Sequence, residues 1–167
     1  MKAIVIGYGY MGQIRRQVVE GLNDVELVAI CDQFLEEDEV DGYRHYSNYE
    51  EAICKENPEI VFVCTPNSDS PDVCIYALER GCHVFCEKPP GREVGDIQRI
   101  RTCEQAHPGQ KVMFGFNHRH HPAILEAKSI TDAGRMGRIL WLRGIYGKSG
   151  GDGFEQSWRN DPQMSGG

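Results

Sequence analysis

Three short groups of residues in this sequence have the types and spacing to do chemistry. The first is Gly7-Tyr8-Gly9-Tyr10-Met11-Gly12, a Gly-x-Gly-x-x-Gly run near the N-terminus. It follows the apolar run Ala3–Ile6 and opens a stretch where Ile14, Val18 and Leu22 recur every four residues. A glycine run between a strand and a helix is the fingerprint of a dinucleotide site. Gly7 permits the tight turn, Gly9 admits a pyrophosphate to the backbone, and Gly12 lets helix and strand close up. The free N–H groups at the helix start, with Tyr10 and Met11 lining the cleft through theirs, hold phosphates at the positive end of the helix. Asp32 follows Gly12 by 20 residues, at the end of the second apolar run. There a carboxylate accepts hydrogen bonds from the adenosine ribose hydroxyls. Gln33 and Phe34 follow it, with no Arg to meet a 2′-phosphate, so NAD is expected in preference to NADP.

The other two groups lie just past the ends of apolar runs, where cofactor sites form in parallel sheets. Thr65-Pro66-Asn67 follows Ile60–Cys64, and Glu87-Lys88-Pro89 follows Val84–Cys86. An ammonium between Glu and Pro at a strand end is not a packing choice. Lys88 is expected near the ligand crevice with neighbouring groups balancing its charge, and Lys88–Pro89 is a candidate for the cis form that only an X-Pro bond adopts cheaply. Asn117 and Arg119 also follow a strand end and are candidates for ligand contact. His118, His120 and His121 have no nearby Cys or carboxylate to complete a four-ligand set, so no metal is expected.

Elements must hold these groups in place. Short continuous runs (Ala3–Ile6, Leu27–Cys31, Ile60–Cys64, Val84–Cys86, Val112–Phe116) alternate with helical spacing. Continuous β-branched runs read as strands covered on both faces. Strands alternating with helices make right-handed βαβ units. The fold class is therefore α/β, a Rossmann-type doubly wound parallel sheet. A helix is expected from Ser47, and another capped by Ser70 with Pro71 at its first position. The acidic stretch Glu36–Glu39 reads as a solvated loop or helix face. After Asn117 the texture changes. One helix from Ala123 ends at Gly134, and Arg138–Tyr146 reads as a long strand with Trp141 in sheet core or at an interface. The segment from Lys148 on is Gly-rich, without periodicity, and is expected to lack order of its own. We divide the chain into a nucleotide-binding domain, 1–118, and the start of an α/β substrate domain, 119–167.

The whole chain has 167 residues with 18 Lys+Arg against 25 Asp+Glu. That balance argues against nucleic acid as the main partner, since a phosphate backbone wants a basic face. No apolar run approaches the roughly 20 residues of a membrane-spanning helix, and no secretory leader is expected. None of the seven cysteines are spaced Cys-x-x-Cys, and those in apolar runs behave as small hydrophobes. Reduced thiols and a cytoplasmic location follow.

Taken together, these motifs resemble the glucose–fructose oxidoreductase / inositol dehydrogenase (Gfo/Idh/MocA) family. Besides the glycine run and Thr65-Pro66-Asn67, the resemblance rests on Gly81-Cys82-His83-Val84-Phe85-Cys86-Glu87-Lys88-Pro89 and Gly115-Phe116-Asn117-x-Arg119. It continues with Trp158-Arg159-Asn160-Asp161-Pro162 before Ser165-Gly166-Gly167. The resemblance implies a Rossmann domain followed by an α/β domain on an open sheet that pairs between subunits, hence a homo-oligomer. It implies hydride transfer between a nicotinamide and a hydroxyl-bearing carbon of a sugar, polyol or related substrate. Lys88 matches the family lysine beside the nicotinamide and the substrate hydroxyl, and Asn117, Arg119, Trp158 and Arg159 become neighbours of the substrate. The family's Asp and His pair comes after the Ser-Gly-Gly stretch, and nothing in these 167 residues matches it. Ser70 stands where family members often carry His. The rival class is a nicotinamide-binding sensor of the same fold without turnover, which has less need of Lys88.

Overall fold

A computed structural model describes residues 1–145, 147 and 153–166. The first unit is built on seven strands: β1 (Lys2–Ile6), β2 (Glu26–Cys31), β3 (Glu39–Val40), β4 (Tyr43–Tyr46), β5 (Ile60–Val63), β6 (His83–Cys86) and β7 (Val112–Phe114). Their order is β3-β4-β2-β1-β5-β6-β7. Every pairing is parallel except that of β3 with β4. The chain runs outward from β1 through β2 to β4, then returns to β5 on the other side. That reversal beside β1 opens the crevice in which doubly wound sheets bind their ligands.

Both faces of the sheet are buried, as the continuous runs require. On one face Ile4, Ile6, Val61 and Val63 pack with Ala52, Ile53, Val73, Ala77, Leu78 and Ile100. Those helical residues come from α2 (Tyr49–Glu56), α3 (Ser70–Glu79) and α4 (Val94–Ala106). On the other face Ala3, Val5 and Ile30 pack with Val19 of α1 (Tyr10–Glu20). The α1 face differs from the one expected from Ile14, Val18 and Leu22. Val19 is wholly buried while Val18 and Leu22 are about half exposed. Gly12 sets the rotation: it must face the strand turn, and Val19, two turns on, shares its side of the helix.

Helix starts differ by one or two residues from the sequence reading, α2 opening at Tyr49 rather than Ser47 and α3 at Ser70 rather than Pro71. Asn48, not Ser47, caps α2, its side chain accepting from the Glu51 N–H at 2.9 Å. Ser70 lies inside α3 rather than capping it, and Asp69 takes the cap position. The Ser70 hydroxyl instead donates to the Pro66 carbonyl at 3.0 Å, tying the helix start to the preceding loop. The β3–β4 hairpin was not expected. Asp41 and Gly42 both have positive φ (52° and 83°), the Asp-Gly signature of a tight primed turn. Glu36, Glu37 and Asp38 are exposed loop residues, as read, but Glu39 belongs to the edge strand.

Residues 116–155 form a second compact unit, with a 3-10 turn at Asn117–His120 and α5 (Pro122–Asp132). The long strand expected over Arg138–Tyr146 is absent from its described residues, 138–145. Trp141 is 74% exposed, which overturns the sheet-core half of its reading. A strand needs a neighbour for its backbone N–H and C=O groups, and none lies beside this segment among the described residues. Tyr146 and 148–152 lie outside the described residues.

From Gln156 on the chain packs with the first unit, so the segment expected to lack order, and to belong with 119–155, is placed otherwise. It forms a 3-10 turn, Trp158–Asn160, then α6 (Pro162–Ser165). Asp161 caps α6 by accepting from the Gln163 N–H at 2.8 Å, and Gly166 ends it with φ 89°. Asp-Pro before a short stretch closed by Gly is a helix signature that carries no apolar periodicity.

Candidate functional site

The strand-to-helix turn after β1 is packed to its steric limit. A Cβ on Gly7, whose φ is 86°, would lie 2.7 Å from the Cys64 carbonyl group. One on Gly12 would lie 2.1 Å from the Gly7 oxygen. Gly9 differs: a Cβ there meets nothing within 4 Å. Two glycines are thus required by the fold, while the third leaves open space above the backbone. No side chain caps α1, and its first internal hydrogen bond runs from the Gln13 N–H to the Gly9 carbonyl at 3.1 Å. The N–H groups of Tyr10, Met11 and Gly12 therefore stay without intrahelical acceptors. This is a cradle for an anion, and it fits a pyrophosphate.

Asp32 sits at the carboxyl end of β2, beside the turn. Its Oδ2 accepts from the Tyr8 N–H at 2.7 Å and its Oδ1 from the Phe34 N–H at 2.9 Å. Each oxygen keeps a lone pair for a further donor, as ribose hydroxyls would supply. The Tyr8 ring packs beneath the turn and its hydroxyl donates to Asp41 of the hairpin. Burial, then the bond to Asp41, pushes the Tyr8 hydroxyl up to about 12.

Thr65, Pro66 and Asn67 form the loop after β5. The Thr65 Oγ1 lies 3.0 Å from the Ser70 Oγ, and the Pro66 carbonyl accepts from the Asp69 and Ser70 N–H groups at 3.1 Å. Asn67 is buried, and its Nδ2 donates to the Ser165 carbonyl at 2.8 Å. Beside it the Ser68 N–H donates to the Met164 carbonyl at 3.0 Å. The segment before Gly167 is therefore fastened to this loop through two of its backbone carbonyls, one held by the Asn67 side chain and one by the Ser68 N–H. No periodicity reveals such bonds.

Glu87 and Lys88 diverge. The Glu87 carboxylate turns to Arg15 of α1, whose Nε donates to Oε1 at 2.7 Å and whose Nη2 donates to the same oxygen. Arg15 also stacks on Phe85, its Cζ 4.7 Å from the ring centroid. Lys88 is exposed, and its ammonium has no carboxylate partner among the described residues. The expectation that neighbours balance its charge is thus corrected, because Arg15 has taken the adjacent carboxylate. The Lys88–Pro89 bond is cis. Arg15 was not singled out from sequence: 72 residues separate it from Glu87, and no spacing rule connects them.

The first unit thus gathers Gly7, Gly9, Tyr10, Met11, Gly12, Asp32, Thr65, Pro66, Asn67, Glu87, Lys88 and Pro89 at the carboxyl ends of its strands. Trp158 and Arg159 belong to it as well, with the Arg159 guanidinium 4.6 Å over the Trp158 ring. Asn117 and Arg119 fall in the second unit. There the His121 Nδ1 accepts from the Ala123 N–H at 3.2 Å and so caps α5.

Comparison with known proteins agrees with this geometry. Residues 1–116 match the GFO_IDH_MocA family model, described as an oxidoreductase family with an NAD-binding Rossmann fold. The chain is 30% identical over 153 residues to inositol 2-dehydrogenase of Salmonella typhimurium, covering 87% of this chain and 46% of that protein. It is 30% identical to D-glucoside 3-dehydrogenase of Escherichia coli, covering 83% of this chain and 41% of that one. Among solved structures, myo-inositol 2-dehydrogenase from Lactobacillus plantarum superposes with a TM-score of 0.74 at 32% identity, over 83% of this chain and 43% of the other. The chain therefore spans less than half the length of these relatives. With the glycine turn, Asp32 and the strand order in agreement with a model that spans residues 1–116, the chain belongs to the Gfo/Idh/MocA family of NAD-binding oxidoreductases.

Proposed function

We propose that the intact protein is an NAD-dependent oxidoreductase acting on a CH–OH group of a sugar, polyol or related small molecule. The observation that carries this reading is Lys88, an exposed ammonium without a carboxylate partner among the described residues, at the crevice end of β6. When bound, the nicotinamide supplies the hydride acceptor or donor. The chain's own residues do the rest. The N–H groups of α1 and the space over Gly9 hold the pyrophosphate, and Asp32 accepts from the adenosine ribose. Thr65, Pro66 and Asn67 border the crevice beside β5. Glu87, engaged by Arg15, serves the cofactor site by fixing the backbone that carries Lys88. Lys88 donates to the reacting hydroxyl and stabilises the negative charge that develops on its oxygen. Asn117, Arg119, Trp158 and Arg159 contact the substrate, and the principal acid/base comes from a part of the protein beyond these residues.

Relatives named for inositol, glucoside and levoglucosan support the substrate class. We assign residues 1–118 to nucleotide binding and 119–155 to the start of a substrate and oligomerisation domain, with a homo-oligomer as the working assembly. Seven free cysteines support a reducing, cytoplasmic setting. No helix among the described residues is long and apolar enough to cross a membrane.

The test is Lys88→Ala in the intact protein, with NADH absorbance followed across a polyol panel. Turnover should fall by at least about a hundredfold while NAD affinity stays within a few-fold, since the lost interaction acts on the reacting oxygen. A rate within a few-fold of the parent would remove Lys88 from the chemistry. No turnover by the parent on any polyol would favour the sensor reading.

A further inference from the structure

The His45 ring stands between two carbonyl oxygens. Its Nε2 is 2.9 Å from the Asp32 carbonyl and its Nδ1 is 2.6 Å from the Glu37 carbonyl. Carbonyl oxygens only accept. A neutral imidazole has one N–H and can serve one of them, leaving the other facing a bare nitrogen lone pair. The imidazolium has two N–H groups and serves both.

The two carbonyls belong to the loop that carries the ribose-binding carboxylate. Backbone bonds pin its ends to β4: the Asp32 N–H donates to the Tyr46 carbonyl and the His45 N–H to the Asp38 carbonyl, both at 3.0 Å. Between those points the Leu35 N–H also reaches the Asp32 carbonyl, at 3.4 Å, and the His45 side chain bridges from that carbonyl to Glu37 on the loop's other arm. We propose that His45, as the imidazolium, is a positioning residue that holds the Asp32 loop in its NAD-binding form. This rests on the reading of Asp32 as the ribose acceptor.

The charged surroundings fit a cation. The loop supplies Asp32, Glu36, Glu37 and Asp38 and has no Lys or Arg. From β3 comes Glu39, paired in register with Arg44. Tyr43, two residues before His45 on the same strand face, donates to Glu20 of α1, which is also paired with Arg16. Arg44 and Tyr46 alternate to the opposite face and meet Glu56 of α2. On β2 the register partner of His45 is Ile30, which brings no charge.

Calorimetric titration of this chain with NAD from pH 5.5 to 8.5, beside His45→Gln and Asp32→Ala, tests the proposal. Loss of one charge-assisted bond from the loop should weaken NAD binding about three- to tenfold at the alkaline end. His45→Gln should show a flat profile. Equal slopes in the two proteins, or no slope in the parent, overturn the role of His45. If Asp32→Ala still loses affinity at every pH, the reading of Asp32 survives that failure. If Asp32→Ala binds like the parent, that reading falls and this inference with it. Should His45→Gln fail to fold, ring nitrogen NMR of the parent decides at pH 7. Adding NAD must raise the fraction of His45 protonated at both nitrogens, and an unchanged fraction overturns the proposal.

Discussion

Arg15 donates through two of its nitrogens to a single oxygen of Glu87, joining the glycine-turn helix to the residue that precedes Lys88. Both side chains are largely buried, at 16% and 11% exposure. Gly115 closes over the pair, since a Cβ there would lie 3.0 Å from the Glu87 Oε2. Arg15→Ala leaves a largely buried carboxylate without its donor, at a cost of about 1–3 kcal/mol. Arg15→Lys should recover only part of that, because an ammonium cannot reproduce the planar fork or its stacking on Phe85. Urea unfolding midpoints of the three proteins check the order.

The three glycines of the turn should separate by experiment. Gly12→Ala forces a methyl against the Gly7 carbonyl and should cost at least about 1–3 kcal/mol, as overpacked sites do. Gly9→Ala meets no atom of the protein and should leave thermal stability nearly unchanged. It should nevertheless weaken NAD binding at least tenfold, because the added methyl occupies the space over the cradle. Stability loss in Gly9→Ala equal to that in Gly12→Ala would contradict this division.

Asp32 should set cofactor choice. A carboxylate about 4 Å from a 2′-phosphate charge costs on the order of 4 kcal/mol at an effective dielectric of 20. Phe34, two residues on, is 80% exposed and brings no compensating cation. NAD should bind well over tenfold more tightly than NADP, and Asp32→Ser should narrow the gap mainly by weakening NAD. Parallel titrations of the two cofactors measure it, and equal affinities in the parent would refute it.

Alkaline stability should fall early. Burial pushes Cys31 and Tyr8 up to about 12 and Cys82 up to about 11. These groups ionise at lower pH in the unfolded chain than in the folded one. Their contribution is fully present below about pH 8.5 and is lost as pH climbs through the ordinary thiol and phenol values toward 12. Unfolding midpoints from pH 8 to 11 should decline, and Tyr8→Phe should flatten the upper part of that decline. The exposed Cys54 should alkylate in the native chain while Cys31 and Cys82 react only on unfolding, which mass spectrometry of labelled peptides resolves.

The sequence by itself determined the nucleotide-binding half, because its signals are local. Gly7, Gly9 and Gly12 answer to a turn a few residues long, Asp32 to the end of one strand, and the continuous apolar runs to burial on both faces of a parallel sheet. Thr65, Asn67 and Lys88 were legible for the same reason: each closes a run, and the carboxyl end of a strand is a fixed place in this fold. Only the tertiary structure decided which groups meet across long separations. Arg15 reaches Glu87, Asn67 takes the Ser165 carbonyl, and His45 spans the Asp32 loop, none of which has a period or spacing to betray it. The rotation of α1 was also decided there: close contact at Gly12 outweighs the apolar recurrence at Val18 and Leu22 and turns Val19 inward. The expected strand over 138–145 failed for the complementary reason. An apolar run with Ile and Trp marks a segment suited to a sheet, but a strand exists only where another strand satisfies its backbone.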